Sequence, residues 1–322
     1  MFRFRGVLAA LLLPLAAYAQ DPPSFRVGTE LVQVPVTVTD RRGVALQDLK
    51  REDFQLFDNG VRTEIQHLWR DSDLPLTVGI IVDISYSEHG SIPEQRQAVT
   101  EFLNRIMRPN DRAFLATVAT GTTLVTDLTN SVEQLRKGAQ RILPEQYLHE
   151  AQTEGQPLGE PCPTKMDGPR VVSQCGGSAI WDAVYAAARQ KLRMLQGTKA
   201  LIILSDGQDT GSAHNLDRTL EEVQASSTTV YAIKVGDVRA LLTRGLSKLA
   251  GETGGEQFRP HGNNFAEIFG RIEGDLRTRY VLGFRPDTTT GREGLHQLRV
   301  EISRPGAKVR ARAGYYQSAA EK

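Results

Sequence analysis

Five oxygen-bearing side chains lie where they could together hold a hard metal ion. Each follows an apolar run or a glycine pair: Asp83, Ser85, Ser87, Ser178 and Asp206. Mg²⁺ takes six oxygen ligands in a near-octahedral array. The two aspartates would supply negative charge and the three serines neutral hydroxyl oxygens. These residue types therefore predict a site for Mg²⁺ or Mn²⁺, which ligand types alone do not separate.

Each of these residues also has an ordinary structural explanation. Asp83 and Ser85 could cap the turn into a following helix, Ser178 could be a helix N-cap, and Asp206 with Gly207 forms a common turn sequence. Short motifs recur by chance. Their order along the chain and their place after predicted strands favour the metal site. The neighbouring Asp182 and Asp209 are expected to be solvated or to support the ligands.

The elements that would position these residues form an alternating pattern. Residues 76–84 are an almost continuous apolar run, which is typical of a strand buried on both faces. Strands then alternate with amphipathic helices as far as Arg279, which predicts a doubly wound, mostly parallel α/β sheet. In such sheets ligands bind beyond the carboxyl ends of the strands. Asp83 and Asp206 are both expected at that edge.

Two groups of strands flank this α/β region, at residues 25–69 and 280–316. The turn sequence around Asn59 predicts a hairpin, and Val61–Leu68 reads as one strand. Neither group has enough strands for a sandwich by itself. We therefore predict one accessory β-sandwich made from both. The predicted boundaries are a signal peptide at 1–19, β segments at 20–72 and 280–322, and the α/β domain at 73–279.

The first residues predict export. Arg3 and Arg5 precede an apolar run that ends in an Ala-x-Ala cleavage signal at Ala17–Ala19, so the protein is expected in the periplasm or outside the cell. No later segment is long enough to span a membrane. Removing residues 1–19 leaves 37 basic residues against 38 acidic ones. This balance gives no electrostatic footprint for nucleic acid or an anionic membrane.

The stretch 144–177 interrupts the alternation and contains both cysteines, Cys162 and Cys175. We interpret it as an insertion loop. In an exported protein an isolated pair of cysteines predicts a disulfide, with two free thiols as the alternative. Because the loop directly precedes Ser178, we expect it beside the metal face.

Together the motifs resemble a known family. The pattern Asp-x-Ser-x-Ser at Asp83, the Gly-Gly-Ser at Ser178 and the Ser-Asp-Gly at Asp206 resemble the metal-ion-dependent adhesion site (MIDAS) of von Willebrand factor A domains. The likeness spans residues 76–279. The two flanking segments resemble the VWFA-related proteins abundant in Acidobacteria.

The resemblance implies six strands in the order 3-2-1-4-5-6, with the strands of Asp83 and Asp206 side by side. It also implies that Ser85, Ser87 and Ser178 coordinate the metal directly, and that the aspartates bind it directly or through water. The family most often has Thr at the third motif position, where this chain has Ser178. A Ser hydroxyl can make the same bond with a less restrained rotamer.

Such a site predicts an adhesion or protein-binding module in which an Asp or Glu carboxylate of a partner protein completes the metal coordination. Tyr86 and His89 are possible contacts on the rim of the site. An enzyme is not expected, because the histidines are scattered and the hydrolase, metalloprotease and nucleotide-binding motifs are absent. The alternatives are a metal-dependent hydrolase that uses Asp83 and Asp206, and a scaffold of an envelope complex that binds no metal.

Overall fold

The chain folds as a run of alternating strands and helices between two groups of strands. The computed structural model describes residues 31–70, 74–85, 90–144, 156–158, 164–167, 170–173, 178–235, 244–261, 264–286 and 294–317. The strands are β1 Val32–Thr39, β2 Phe54–Asp58, β3 Val61–Thr63, β4 His67–Arg70, β5 Leu76–Asp83, β6 Arg112–Val118, β7 Thr122–Thr129, β8 Gln156–Pro157, β9 Thr164–Asp167, β10 Arg170–Ser173, β11 Thr198–Ser205, β12 Thr228–Lys234, β13 Gln257–Phe258, β14 Tyr280–Phe284, β15 Gly294–Ile302, β16 Lys308–Ala311 and β17 Gly314–Gln317. The α-helices are α1 Ile92–Ile106, α2 Val132–Gln140, α3 Ile180–Ala186, α4 Leu216–Ala225, α5 Arg244–Glu252 and α6 Phe265–Thr278. A π-helix at Ala187–Leu192 continues α3, and a short 3-10 helix spans Arg51–Asp53.

The central sheet has the strand order β13-β12-β11-β5-β6-β7-β8. Strands β6, β5, β11, β12 and β13 pair in parallel, and β7 is antiparallel to β6. Within the α/β domain, β5, β6, β7, β11, β12 and β13 are strands 1 to 6 in chain order. Read from β7 to β13, the sheet therefore has the order 3-2-1-4-5-6. This confirms the doubly wound strand order that the resemblance implied. The two-residue strand β8 is an addition that the sequence did not predict.

Apolar side chains cover both faces of this sheet, as the uniform composition of its central strands requires. Every residue of β5 and β11 is buried. One hydrophobic cluster includes residues of α1, α2 and α6, and a second includes residues of α3, α4 and α5. Gly79 in β5 is a point of close approach, since a Cβ there would overlap the side chains of Phe114 and Leu201. The strands that end at Asp83 and Ser205 are therefore tightly held.

The accessory domain is a β-sandwich with strands from both ends of the chain. One sheet has the order β16-β1-β14-β4 and the other β17-β15-β2-β3. Their shared core includes Val36, Leu56, Phe284 and Tyr280. The predicted sandwich of N- and C-terminal segments is confirmed, and each sheet depends on both segments.

One predicted strand is wrong. Val61–Leu68 was expected to be continuous, but β3 pairs with β2 in one sheet and β4 pairs with β14 in the other. Between them Ile65 is buried, and the backbone N–H of Gln66 donates to Gly283 at 2.9 Å. The chain crosses between the two sheets here, which apolar alternation alone cannot reveal. The predicted turn is present, with positive φ at Asn59 and Gly60.

The predicted insertion loop contains some regular structure. β8 pairs with the edge strand β7, and β9 pairs with β10 in antiparallel fashion. Leu158 is buried against the sheet. The predicted disulfide between Cys162 and Cys175 and the predicted signal peptide both lie outside the described residues. Within the described part of the chain, no helix is both long enough and apolar enough to cross a membrane.

Candidate metal centre

Asp83 and Asp206 lie at the carboxyl-terminal edge of the sheet, at the ends of adjacent parallel strands. β5 and β11 pair in register with Val82 opposite Leu204, which brings Asp83 level with Ser205 and places Asp206 one residue beyond. The exposed fractions of Asp83 and Asp206 are 0% and 1%. Both aspartates therefore lie at the same edge of the sheet, at the ends of neighbouring strands.

Hydroxyl and amide groups surround the Asp83 carboxylate. Its Oδ2 accepts hydrogen bonds from Ser178 Oγ at 3.0 Å and from Ser205 Oγ at 2.7 Å, while its Oδ1 accepts from the Ser85 amide at 3.0 Å. Burial raises the pKa of Asp83 above its ordinary value of 3.8, and hydrogen bonds from Ser85, Ser205 and Ser178 oppose that rise. Three of the predicted residues, Asp83, Ser85 and Ser178, are thus in contact.

Asp206 is held by the residue two positions later. The backbone N–H of Gln208 donates to its Oδ1 at 2.8 Å, and Gln208 Nε2 donates to its Oδ2 at 3.2 Å. The intervening Gly207 has φ of 83° and donates its N–H to Ser205 Oγ at 3.0 Å. The Asp206 carboxylate is therefore fixed by a tight turn, as the Asp-Gly sequence predicts.

Ser178 is placed by the loop that follows Asp206. Its carbonyl oxygen accepts from the N–H groups of Thr210 at 3.0 Å and Gly211 at 3.2 Å. The alternative role as a helix N-cap is wrong: Ala179 occupies the N-cap position before α3, and Ser178 Oγ donates to Asp83. The hydroxyl of Ser178 thus belongs to the carboxylate cluster.

The neighbouring aspartates fasten this loop. Asp209 accepts from the Trp181 amide at 3.2 Å and from Ser212 Oγ at 2.5 Å. Asp182 accepts from the amides of Ala213 and His214, each at 2.9 Å. Neither carboxylate is simply solvated. Both hydrogen-bond residues 209–214 to the start of α3. They thereby fix the loop whose amides bind the carbonyl of Ser178.

Ser205 and Gln208 are parts of the cluster that sequence reasoning missed. Ser205 directly precedes Asp206, but it ends a strand buried on both faces, so periodicity does not reveal which way its hydroxyl points. Only the register with β5 brings it to Asp83. Gln208 carried no sequence signal. Ser87 and the possible rim contacts Tyr86 and His89 lie outside the described residues.

The donor set fits a hard divalent cation. Among the described residues, no Lys, Arg or His side chain forms an ion pair with Asp83 or Asp206. No three His, Cys, Asp or Glu side chains of the described residues form a metal-binding group. The remaining oxygens at Asp83 are serine hydroxyls. A site of two carboxylates and several hydroxyls suits Mg²⁺ or Mn²⁺ better than soft, sulfur-seeking metals.

No protein-family model matches this chain, and no curated protein matches it. Solved structures with similar folds do exist. One is a von Willebrand factor type A protein from Catenulispora acidiphila, with 12% identity and a TM-score of 0.47 over 91% of this chain and 76% of that chain.

Two other solved structures come from different settings. Proximal thread matrix protein 1 from the mussel byssus, with a zinc-occupied MIDAS motif, has 12% identity and a TM-score of 0.48 over 68% of this chain and 50% of that chain. An aerotolerance-related membrane protein from Bacteroides fragilis has 14% identity and a TM-score of 0.45 over 62% and 98%. At such values the chemistry of these proteins does not transfer, and the site has to be understood from its own contacts.

Proposed function

We propose that this protein is a metal-dependent protein-binding module. Asp83, Ser85, Ser87, Ser178 and Asp206 would hold one Mg²⁺ or Mn²⁺ ion, and the ion would bind a carboxylate of a partner protein. The observation that carries the proposal is the pair of buried carboxylates at adjacent strand ends, which no cationic side chain of the described residues neutralises.

Burial of the Asp83 and Asp206 carboxylates carries a cost in free energy. An ionised carboxylate removed from water without a partner charge is strongly destabilised, by several kcal/mol even after relaxation. A divalent cation would offset two such carboxylates at once. The Ser178 hydroxyl donates its proton to Asp83, which leaves its lone pairs available to a cation. Ser205 Oγ also donates to Asp83, but it accepts the Gly207 amide as well. A bound ion would supply a Lewis-acid centre for an acidic ligand.

Binding, and not catalysis, is part of this proposal. The described groups in contact with Asp83 and Asp206 are serine hydroxyls, a glutamine amide and backbone amides, none of which is a general base. A hydrolase would need such a group to activate water. Turnover of phosphoester or peptide substrates that requires Mg²⁺ and Asp83 would contradict this part. Export to the periplasm or the medium also belongs to the proposal.

Thermal unfolding in Mg²⁺, in Mn²⁺ and in EDTA tests the metal site. Metal at about 100 times its dissociation constant should stabilise the wild-type protein by about 2.7 kcal/mol. Asp83→Asn should abolish the difference between metal and EDTA. In EDTA it should cost little, because it removes a carboxylate that lacks a balancing charge.

The matched control is Asp111→Asn, which removes another buried aspartate of the same domain. Asp111 already pairs with Arg277, so this variant should lose stability but keep the full response to metal. A wild-type unfolding temperature that is the same in metal and in EDTA would contradict the metal site. If the site is present, wild-type protein should also retain protein partners in Mg²⁺ that EDTA and Asp83→Asn both release.

A further inference from the structure

A second group of buried charges that no described residue neutralises lies where the sandwich meets the amino-terminal edge of the central sheet. Arg312 follows β16, and its backbone forms a bridge with Thr253 just after α5. The next residue, Ala313, donates its N–H to the carbonyl of Glu252 at 2.9 Å. We call Arg312, Lys199 and Ser227 the cationic corner. Arg312 comes from the sandwich side, and Lys199 and Ser227 come from the α/β domain.

The Arg312 side chain is buried and meets neutral groups. Its exposed fraction is 5%, and its Nη1 donates to Ser227 Oγ at 3.0 Å. The ring of Tyr315 lies 5.8 Å from its Cζ. Its Nε is fully buried and has no acceptor among the described residues. One edge of the guanidinium is therefore without a hydrogen-bond partner in the described part of the chain.

Lys199 brings a second positive charge to the same corner. Its exposed fraction is 8%, and its Nζ donates to the carbonyl of Leu195 at 2.9 Å. Its Cα pairs with that of Thr228, which is the residue after Ser227. Burial lowers the pKa of Lys199 to about 8, and the positive charge of Arg312 adds to this effect. Two buried cationic side chains thus lie beside the segment Ser227–Thr228.

The carboxylates of Glu256, Asp275 and Glu222 are paired with other cations. Arg310, two residues before Arg312, pairs with Glu256 at 2.6 Å and with Asp275. The buried Glu222 on α4 pairs with Arg193 and Arg189. Within the described residues no carboxylate forms an ion pair with Arg312 or Lys199. Arg310 and Arg312 thus differ sharply in charge balance although they are neighbours in sequence.

We propose that the cationic corner binds an inorganic oxyanion of the phosphate or sulfate type. A guanidinium edge matches two oxygens of a tetrahedral oxyanion, and an ammonium adds a point charge. Because the corner has one wall from each domain, a bound oxyanion would join the sandwich to the α/β domain.

Calorimetric titration of inorganic phosphate, and separately of sulfate, into the purified protein in EDTA tests this proposal. EDTA keeps the result independent of the proposed metal site. We expect saturable binding that weakens at least tenfold in Arg312→Gln and in Lys199→Gln. Arg310→Gln is the matched control and should bind the anion as the wild type does, because Arg310 is occupied by Glu256 and Asp275. Preference between the two anions distinguishes phosphate from sulfate recognition.

Thermal unfolding gives a second measurement that does not depend on every variant folding well. At matched ionic strength, saturating phosphate should raise the wild-type unfolding temperature by a few degrees relative to chloride. Sulfate and phosphate also stabilise proteins generally by exclusion from their surface, without saturation. Absence of saturable binding to the wild type would overturn the proposal. An equal affinity in Arg312→Gln would overturn it as well.

Discussion

The two edges of the central sheet both bury aspartates, but they treat the charge differently. At the amino-terminal edge, Asp111 accepts from the amides of Leu76 and Arg108, each at 2.9 Å, and pairs with Arg277 of α6. At the carboxyl-terminal edge, Asp83 accepts only from serine hydroxyls and an amide in the part of the chain that the structure describes.

Asp111 and Asp83 thus differ in whether a described cationic side chain pairs with the carboxylate. Asp111 ties the start of β5 to the turn before β6, and its charge is balanced inside the protein. Asp83 is just as buried, but its described neighbours supply hydrogen bonds and no balancing positive charge. Burial alone therefore does not identify a functional aspartate. An unbalanced buried charge lowers stability unless a ligand compensates for it, and this contrast supports the proposed role of Asp83 in metal binding.

Asp111→Asn removes the ion pair with Arg277 at the amino-terminal edge, and we expect it to lower stability more than any other variant considered. Loss of the carboxylate leaves Arg277 buried without its partner, which should lower the free energy of unfolding by about 3–5 kcal/mol. Urea denaturation in Mg²⁺ and in EDTA should give the same loss. A loss that depends on metal would mean that the two edges are coupled, and would weaken the comparison.

The amino-terminal edge also contains an unbalanced charge of opposite sign, Lys199. Since its pKa is lowered from 10.5 to about 8, the unfolded chain binds more protons than the folded one between those values. Stability should therefore rise with pH above 8. Relative to Lys199→Met, the wild type should gain about 1–2 kcal/mol between pH 8 and 9.5.

Urea denaturation across this pH range, in buffer free of phosphate and sulfate, measures the effect. The parallel change in Lys199→Met controls for the titration of all other groups. Identical pH profiles for the two proteins would show that the pKa of Lys199 is not lowered in the folded protein, and would contradict this prediction.

Ser205→Ala changes the hydrogen bonds of Asp83 without changing its charge, and we expect it to have the smallest effect on stability. It removes the donor to Asp83 and the acceptor for the Gly207 amide. It should cost about 1 kcal/mol in EDTA and weaken Mg²⁺ binding about tenfold. Ser226→Ala removes a buried hydroxyl that donates to Val223. Ser226 lies just before β12, at the opposite, amino-terminal edge of the sheet. A comparable effect of Ser226→Ala on Mg²⁺ affinity would remove the special role of Ser205.

The sequence predicted the architecture well because burial imposes strong patterns. A strand covered on both faces must be apolar throughout, as β5 and β11 are. The turn at Asn59 and Gly60 was predictable because positive φ at two successive positions favours these residue types. The sandwich was predictable because neither terminal segment had enough strands to form one by itself.

Other features left no local signal. The break at Ile65 depends on the distance between two sheets, and the short strand β8 depends on a free edge at β7. Asp83 and Asp206 were recognisable because they follow apolar runs in a motif, whereas the direction of the Ser205 hydroxyl depends on the pairing of β11 with β5.

The sequence by itself determined which oxygen-bearing residues end the central strands, because residue type and strand burial are encoded locally. Only the tertiary structure decided which charges are balanced. Asp111 meets Arg277 across 166 positions of sequence, and Arg310 meets Asp275 while Arg312 does not meet a described carboxylate. Charge balance is a relation between distant side chains, and it is established only when packing brings them together.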